Sequence, residues 1–398
     1  MASQKTTINL WVILCALMML ARSFVIDVGV SVPMYYAFWF VVAIVSMSGG
    51  FKGDSATIIF IFLGFVSILL NDVPSYFKPY QRLGSFVIMM LSLGPLNKSI
   101  WSNNFRFKLF KAFSFLIVLL TIASFLLRPL NISVMFQRYL YKGLFNQSMM
   151  LGPMSGIASV ISVHVFLCAR RRKIFYGIIA TICILTCLLA GSRGALAALF
   201  AALIVVFFLT FRENKIKLIG FIAGLAVIAI AASPFLIPYT EAIRIKQENN
   251  ELGGGTFYSR EDLWKDRFKE FEYSPVIGSG FASINTIVAV NAKVDEDSGV
   301  VEPGSSWLFI LSCMGAAGMV VFLIIFMRPL SLLKKHIDKD CVYVPIFALY
   351  AFFSVHMIVE GYVLSSGSSL FCILWLVLAL AQPSSFSKLD LGSRRLFE

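Results

Sequence analysis

Tyr258-Ser259-Arg260-Glu261-Asp262-Leu263-Trp264-Lys265-Asp266-Arg267-Phe268-Lys269-Glu270-Phe271 lies inside the one long water-loving interval of this chain, 238–303. Ser259 with Asp262 three residues on resembles a capping box, so the pattern predicts a helix starting there. Trp264, Phe268 and Phe271 recur at helical spacing and give it an apolar face; Arg260, Lys265, Arg267 and Lys269 occupy the other, among acids. A glycine hinge, Gly253-Gly254-Gly255, precedes the helix. After it come Ser274-Pro275-Val276-Ile277-Gly278-Ser279-Gly280-Phe281 and an acidic run, Asp295-Glu296-Asp297, leading to Glu302. Loops of this length inside compact domains are uncommon and usually functional; the alternative is a solvated connector.

On either side of this interval the chain alternates apolar runs with short basic turns. Of its 398 residues 59% are hydrophobic and 14% charged, which excludes a soluble domain. Runs of about 20 apolar residues match the thickness of a hydrocarbon core. Twelve are read, at about 8–26, 30–50, 56–71, 81–96, 110–127, 149–168, 174–190, 194–211, 217–237, 304–327, 341–359 and 366–382. The expectation is an all-α polytopic membrane protein, one integral membrane domain over 1–398 with about twelve transmembrane helices. The 238–303 loop, containing short helices, lies within it. The first run lacks a small-residue cleavage site and reads as a retained span. The seven cysteines fall within or at the ends of predicted spans, so no disulfide framework or zinc site is implied.

The net charge of +13 is a matter of placement. With the N-terminus inside, the inner turns receive Lys98, Arg106, Lys108, Lys111, Arg170-Arg171-Arg172-Lys173, Arg212 and Arg328. About 20 of the 34 basic residues then lie inside, and the outer surface is near neutral. The long loop faces outward, and no nucleic-acid partner is needed to explain the charge.

Several outward residues stand out. Arg22 ends the first span, where snorkelling accounts for it. Lys78 and Arg82 flank a turn marked by Pro74 and Pro79. Arg128, Arg138 and Lys142, with Tyr139 and Tyr141, form a basic aromatic patch against the positive-inside tendency. It suits anionic lipid headgroups or a phosphate-bearing substrate equally. The Gly152-Pro153 start of span six could open backbone groups toward a cavity. His164 and His356 lie within spans without companion motifs and read as interhelical hydrogen-bond partners. The turn Ala190-Gly191-Ser192-Arg193-Gly194 places an arginine at the membrane lip with no local acid. Such a charge is costly without an anionic partner, and its planar fork suits a diphosphate; snorkelling is the alternative.

Gly-Ser-Arg-Gly opening an outward turn, then a long outer loop two spans later, resembles the O-antigen polymerase/ligase superfamily. The loop segments Ser259–Trp264 and Pro275–Phe281 look like that family's arginine-containing segment and its Gly-x-Gly-Phe. Gly143–Ser148 and Glu360-Gly361-Tyr362 with Gly367-Ser368 and Trp375 extend the likeness. The resemblance implies a bacterial inner-membrane enzyme with a periplasmic active site, and a bilayer partner. It would take a glycan from an undecaprenyl-diphosphate-linked donor to an acceptor hydroxyl, with neither nucleotide sugar nor metal. It implies that Arg193 and Arg260 grip the diphosphate, with Arg128, Arg138 and Lys142 as further substrate contacts. Ligases of the group carry a histidine at the mouth of the span after the loop. Val301-Glu302-Pro303-Gly304-Ser305-Ser306-Trp307 has none, which makes Glu302 the substitute and polymerase the expectation, for O-antigen, capsule or exopolysaccharide.

A sugar–diphosphate bond leaves negative charge on the departing oxygen, which fixed cations stabilise. The attacking hydroxyl needs an acceptor, and Glu302 or, as second choice, Glu360 supplies one. A chain-length regulator is a possible partner. The alternatives are an O-antigen ligase acting on lipid A-core and a transporter of lipid-linked sugars; no internal repeat supports the latter.

Overall fold

The computed structural model describes residues 2–137, 140–212, 258–291, 294–295, 299–332 and 343–382, with scattered positions between 216 and 251. The predicted run at 217–237 apart from Gly220, the glycine hinge, Arg138, Tyr139, Cys341, Glu296 and Asp297 fall outside these residues.

Twelve α-helices are described: α1 (Ala2–Leu20), α2 (Val32–Ser48), α3 (Ser55–Leu70), α4 (Pro79–Ser92), α5 (Ile100–Leu127), α6 (Ser148–Cys168), α7 (Lys173–Leu189), α8 (Arg193–Phe211), α9 (Tyr258–Tyr273), α10 (Ser306–Met327), α11 (Tyr343–Val359) and α12 (Ser369–Leu380). Their starts are chemically marked. Ser31, Asp54, Ser99, Ser192 and Ser305 each accept a backbone N–H of the first turn, and Pro33 and Pro79 stand where a missing N–H costs nothing. Two short hairpins complete the inventory: β1 (Phe136–Gln137) with β2 (Leu140–Tyr141), and β3 (Val294–Asp295) with β4 (Val300–Val301).

Four helical stretches are long and apolar enough to cross a membrane: Ile100–Leu130, Ser148–Cys168, Arg193–Phe211 and Ser306–Ser331. Six shorter apolar helices accompany them. The helix at 79–92, expected as a span, belongs to neither group: it has 14 residues and carries Gln81, Arg82 and Ser85. Phe62, Phe200, Phe208 and Ile178 are exposed on the helical exterior, an apolar surface that lipid can cover.

α6 is the most enclosed long helix and packs on α5, α7 and α8; α8 lies along α11. Glycines let these helices approach: a Cβ on Gly152 would stand 2.6 Å from Ser192, and one on Gly156 2.8 Å from Phe352. The Gly152 carbonyl accepts from Cys187 Sγ and Ser155 Oγ. The start of α6 is therefore closed by packing, not opened toward a cavity.

The described residues of the loops after α1, α3, α5, α7 and α11, and those of 258–305, gather at one end of the bundle. At the opposite end Asp54 is buried, caps Thr57 and pairs with both Lys98 and Arg328. Burial alone would raise its pKa; the donors from Lys98, Thr57 and Arg328 outweigh that and lower it.

The loop is joined to the bundle through a break in α10. Gly315 (φ 61, ψ −166) interrupts the helix, freeing backbone groups on both sides. Ser312 and Cys313 carbonyls accept from Ser279 N and Gly280 N (2.9 and 3.1 Å). Ala316 N and Ala317 N donate to the Pro275 and Val276 carbonyls (2.8 and 3.1 Å). Side chains at these two crossings would force the two backbones apart: a Cβ on Gly278 would lie 2.2 Å from Cys313 C, and one on Gly315 2.3 Å from Val276 C. Ser67 and Asn71 at the end of α3 add bonds to the Ile277 and Gly278 carbonyls. Phe281 is fully buried against Gly64 and Phe86, and Arg82 donates to the Ala282 and Gly299 carbonyls.

Candidate active site

α9 presents a face that its apolar spacing does not predict. Leu263, Asp266, Arg267 and Glu270 are buried, while Phe268 is exposed. The charged residues are inside because the following loop supplies their partners. Glu270 accepts the Asn285 amide at 2.7 Å, and Asp266 accepts both nitrogens of Asn291, at 2.8 and 3.0 Å. Arg267 lies 2.8 Å from Glu270, although not aligned for a hydrogen bond. Burial pushes the Glu270 carboxyl up to about 7, against the pull of Arg267.

With that face fixed, the first two turns of α9 stand over the start of α10. Leu263 packs on Gly304, and Trp264 Nε1 donates to the Gly304 carbonyl at 3.2 Å. The 302–306 segment is in turn interlocked with the end of α11. Ser306 N and Oγ both donate to the Glu360 carbonyl (3.0 and 2.7 Å), Tyr362 N donates to Ser306 Oγ, and Ser305 Oγ donates to the Met357 carbonyl. Gly361 rests on Pro303. The result is that Glu302 and Glu360, 58 positions apart in the chain, flank one arginine. Arg260 Nη1 lies 2.5 Å from Glu302 Oε1, and Nη2 lies 2.8 Å from Glu360 Oε1. The guanidinium is 14% exposed, Glu302 54% and Glu360 25%. Arg260 thus sits between two anions at a shielded but reachable place, with Glu302 on the water side.

Arg193 opens α8 at the same end of the bundle. Gly194 is pressed against Val359, the last residue of α11 before Glu360. Arg193 Nη1 is buried without a hydrogen-bond acceptor among the described residues. Of the other candidates, Arg128 is stacked over Phe136 and Tyr141, 4.9 and 5.4 Å from the ring centroids. Lys142 is half-buried and gives its amide to the Met135 carbonyl. The contacts of this patch run to the ends of α5 and α1, through Tyr141 to Ser124 and Phe145 to Phe24. Arg138 is outside the described residues.

One side chain read in the sequence as an interhelical partner borders the Arg260 site, and Arg22 lies elsewhere among the loops at this end. His356, one turn before Glu360, is 1% exposed, with Nδ1 3.1 Å from the Tyr362 hydroxyl. Burial, then the neighbouring Glu360 charge, holds the Tyr362 phenol well above its ordinary pKa. Arg22, read as a snorkelling residue, lies over the Tyr35 ring and against Gly367.

Residues 178–323 match the family model described as O-antigen ligase. The match covers well under half of the chain, and holds Arg193, Arg260 and Glu302 but not Glu360. No curated protein matches the chain.

Proposed function

Starting from an O-antigen polymerase/ligase superfamily domain over 178–323, we propose that this membrane enzyme polymerises lipid-diphosphate-linked oligosaccharide repeats. The observation that carries the reading is Arg260 held between Glu302 and Glu360 at the bundle end where Arg193 opens α8, its Nη1 buried without an acceptor among the described residues. Two arginines at one end of the bundle suit a diphosphate. Two carboxylates beside it suit the acceptor hydroxyl. In the reaction the bond between the donor sugar's anomeric carbon and the phosphate oxygen breaks, and the acceptor oxygen bonds to that carbon. The acceptor's proton passes to a carboxylate, and the electron pair leaves with the undecaprenyl diphosphate, whose charge the arginines stabilise. Glu302, being the more exposed partner, is the carboxylate assigned to the proton. Glu360 keeps Arg260 in place.

Arg171, Lys173, Lys98, Arg106 and Arg328 lie at the bundle end opposite the site. With positive charge retained on the cytoplasmic side, the site faces outward from the inner membrane. The twelve crossings, the assignment of 1–398 to one membrane domain, a second lipid-linked repeat as acceptor and a chain-length partner belong to the same proposal.

The test is a glycan ladder assay with purified protein and a lipid-diphosphate-linked repeat. Ladders are expected from the wild type, with turnover lost in Glu302→Gln at matched protein amounts. Wild-type ladders from Arg260→Ala refute the reading. The match to the O-antigen ligase family favours a second reading, a ligase, which gives a single transfer to lipid A-core and no ladder.

A further inference from the structure

The start of α8 carries more positive charge than its surroundings explain. A helix start leaves its first N–H groups without intrahelical acceptors and bears partial positive charge. Acids suit that place, yet its first residue is Arg193, with Nη1 buried and lacking an acceptor among the described residues. Ser192 Oγ takes the Ala195 amide. Facing this turn from α11 is His356, stacked on Phe352 with ring centroids 5.5 Å apart. Its Cδ2 lies 4.0 Å from where a Cβ on Gly194 would stand. Nε2, the ring atom beside Cδ2, is buried and has no hydrogen-bond partner among the described residues.

The protonation of that nitrogen follows from satisfying its neighbours. The Tyr362 hydroxyl has one proton to place, and His356 Nδ1 is its partner at 3.1 Å. If Nδ1 donated instead, the buried phenol proton and the Nε2 lone pair would both be stranded. With the phenol donating, a single group is left over, and it is an Nε2–H donor on the ring edge whose Cδ2 approaches Gly194 in the first turn of α8.

We propose that the N-terminus of α8, Arg193 and His356 together form an oxyanion pocket for one phosphate of the lipid-diphosphate donor. Arg260 takes the other phosphate. An anion there is held by the helix end, by a guanidinium and by a neutral N–H donor. His356 becomes a substrate-contacting residue, and Tyr362 a positioning residue that fixes its tautomer. The part-exposed Arg193 provides the way in from the loop end. The inference rests on the diphosphate reading above, and its test separates the two.

The full-length protein in lipid nanodiscs is titrated with undecaprenyl diphosphate. The wild type is expected to bind it more tightly than undecaprenyl monophosphate. His356→Phe keeps the ring stack but removes the N–H, and is expected to weaken diphosphate binding about tenfold. His356→Gln, whose amide N–H can replace Nε2–H, should recover most of that; His356→Asn, which imitates only Nδ1, should not. Tyr362→Phe should fall between, and Arg193→Ala combined with His356→Phe should lose less than the product of the single effects. Wild-type affinity in His356→Phe at an unchanged melting temperature overturns the pocket and leaves the donor reading standing. If His356→Phe does not fold, equal binding by the Gln and Asn variants overturns it. A wild type that binds no undecaprenyl diphosphate overturns both.

Discussion

Glu302 occupies the position that a donor phosphate must take on Arg260, so removing its charge should strengthen donor binding while stopping turnover. The pair is short, 2.5 Å, but Glu302 is 54% exposed. Solvent screening therefore limits it to about 0.5–1 kcal/mol, far below a buried pair. A donor that displaces Glu302 must overcome that amount, and Glu302→Gln removes most of it. By the tenfold-per-1.4 kcal/mol relation, binding should tighten roughly two- to fivefold. Glu360 differs: it is 25% exposed and its backbone is locked to Ser306. Glu360→Gln should loosen Arg260 and weaken binding. The assay is equilibrium titration of undecaprenyl diphosphate against wild type, Glu302→Gln, Glu302→Asp and Glu360→Gln, with turnover measured in parallel. Aspartate, one methylene short, should bind near wild type and retain partial turnover. Weaker or unchanged donor binding in Glu302→Gln refutes the competition, and undiminished turnover refutes the proton-accepting role.

Other expectations are independent of that exchange. Arg193→Ala and Arg260→Ala should each reduce product formation by about 100-fold or more, and lysine should rescue only partly because it cannot form the bidentate contact; ladder formation at matched protein amounts checks this. Gly278→Ala should cost about 3 kcal/mol or more, since its Cβ would sit 2.2 Å from backbone and its φ is +73; the melting temperature reports it. The Glu270 carboxyl, raised from 4.5 to about 7, binds a proton more tightly folded than unfolded. Stability of α9 should therefore fall as pH rises from about 4.5 to 7, by on the order of 2–3 kcal/mol at most, and Glu270→Gln should flatten that dependence in amide exchange. An impermeant thiol reagent should label Ile287→Cys but not Arg171→Cys in intact cells; the reverse pattern inverts the orientation.

The helices were legible because each is a local pattern. Eleven of the twelve predicted apolar runs coincide with helices, and the remaining one, Gly220 apart, lies outside the described residues. What escaped the sequence is non-local. Nothing near Asp266 and Glu270 says they are buried, since their partners, Asn291 and Asn285, come from the loop beyond the helix. Gly315 stands in Gly-Ala-Ala-Gly, which reads as ordinary close packing rather than a break. Glu302 and Glu360 could be named as acids at outer helix ends, but their common partner, 42 and 100 residues away, could not. His356 was set aside because its companion Tyr362 lies beyond the helix end, where periodicity carries no information.

The break in α10 has a consequence for how the protein is made. A helix with a gap exposes unpaired carbonyls and amides, which hydrocarbon does not tolerate. α10 is complete only when Pro275–Gly280 has already been laid against it, with α3 closing the far side. That segment precedes α10 in the chain and is available as α10 emerges during synthesis. A graft that exchanges the loop alone between relatives would leave the recipient helix with mismatched partners at its middle. Loop, α10 and α3 should therefore be inherited, and engineered, as one cassette.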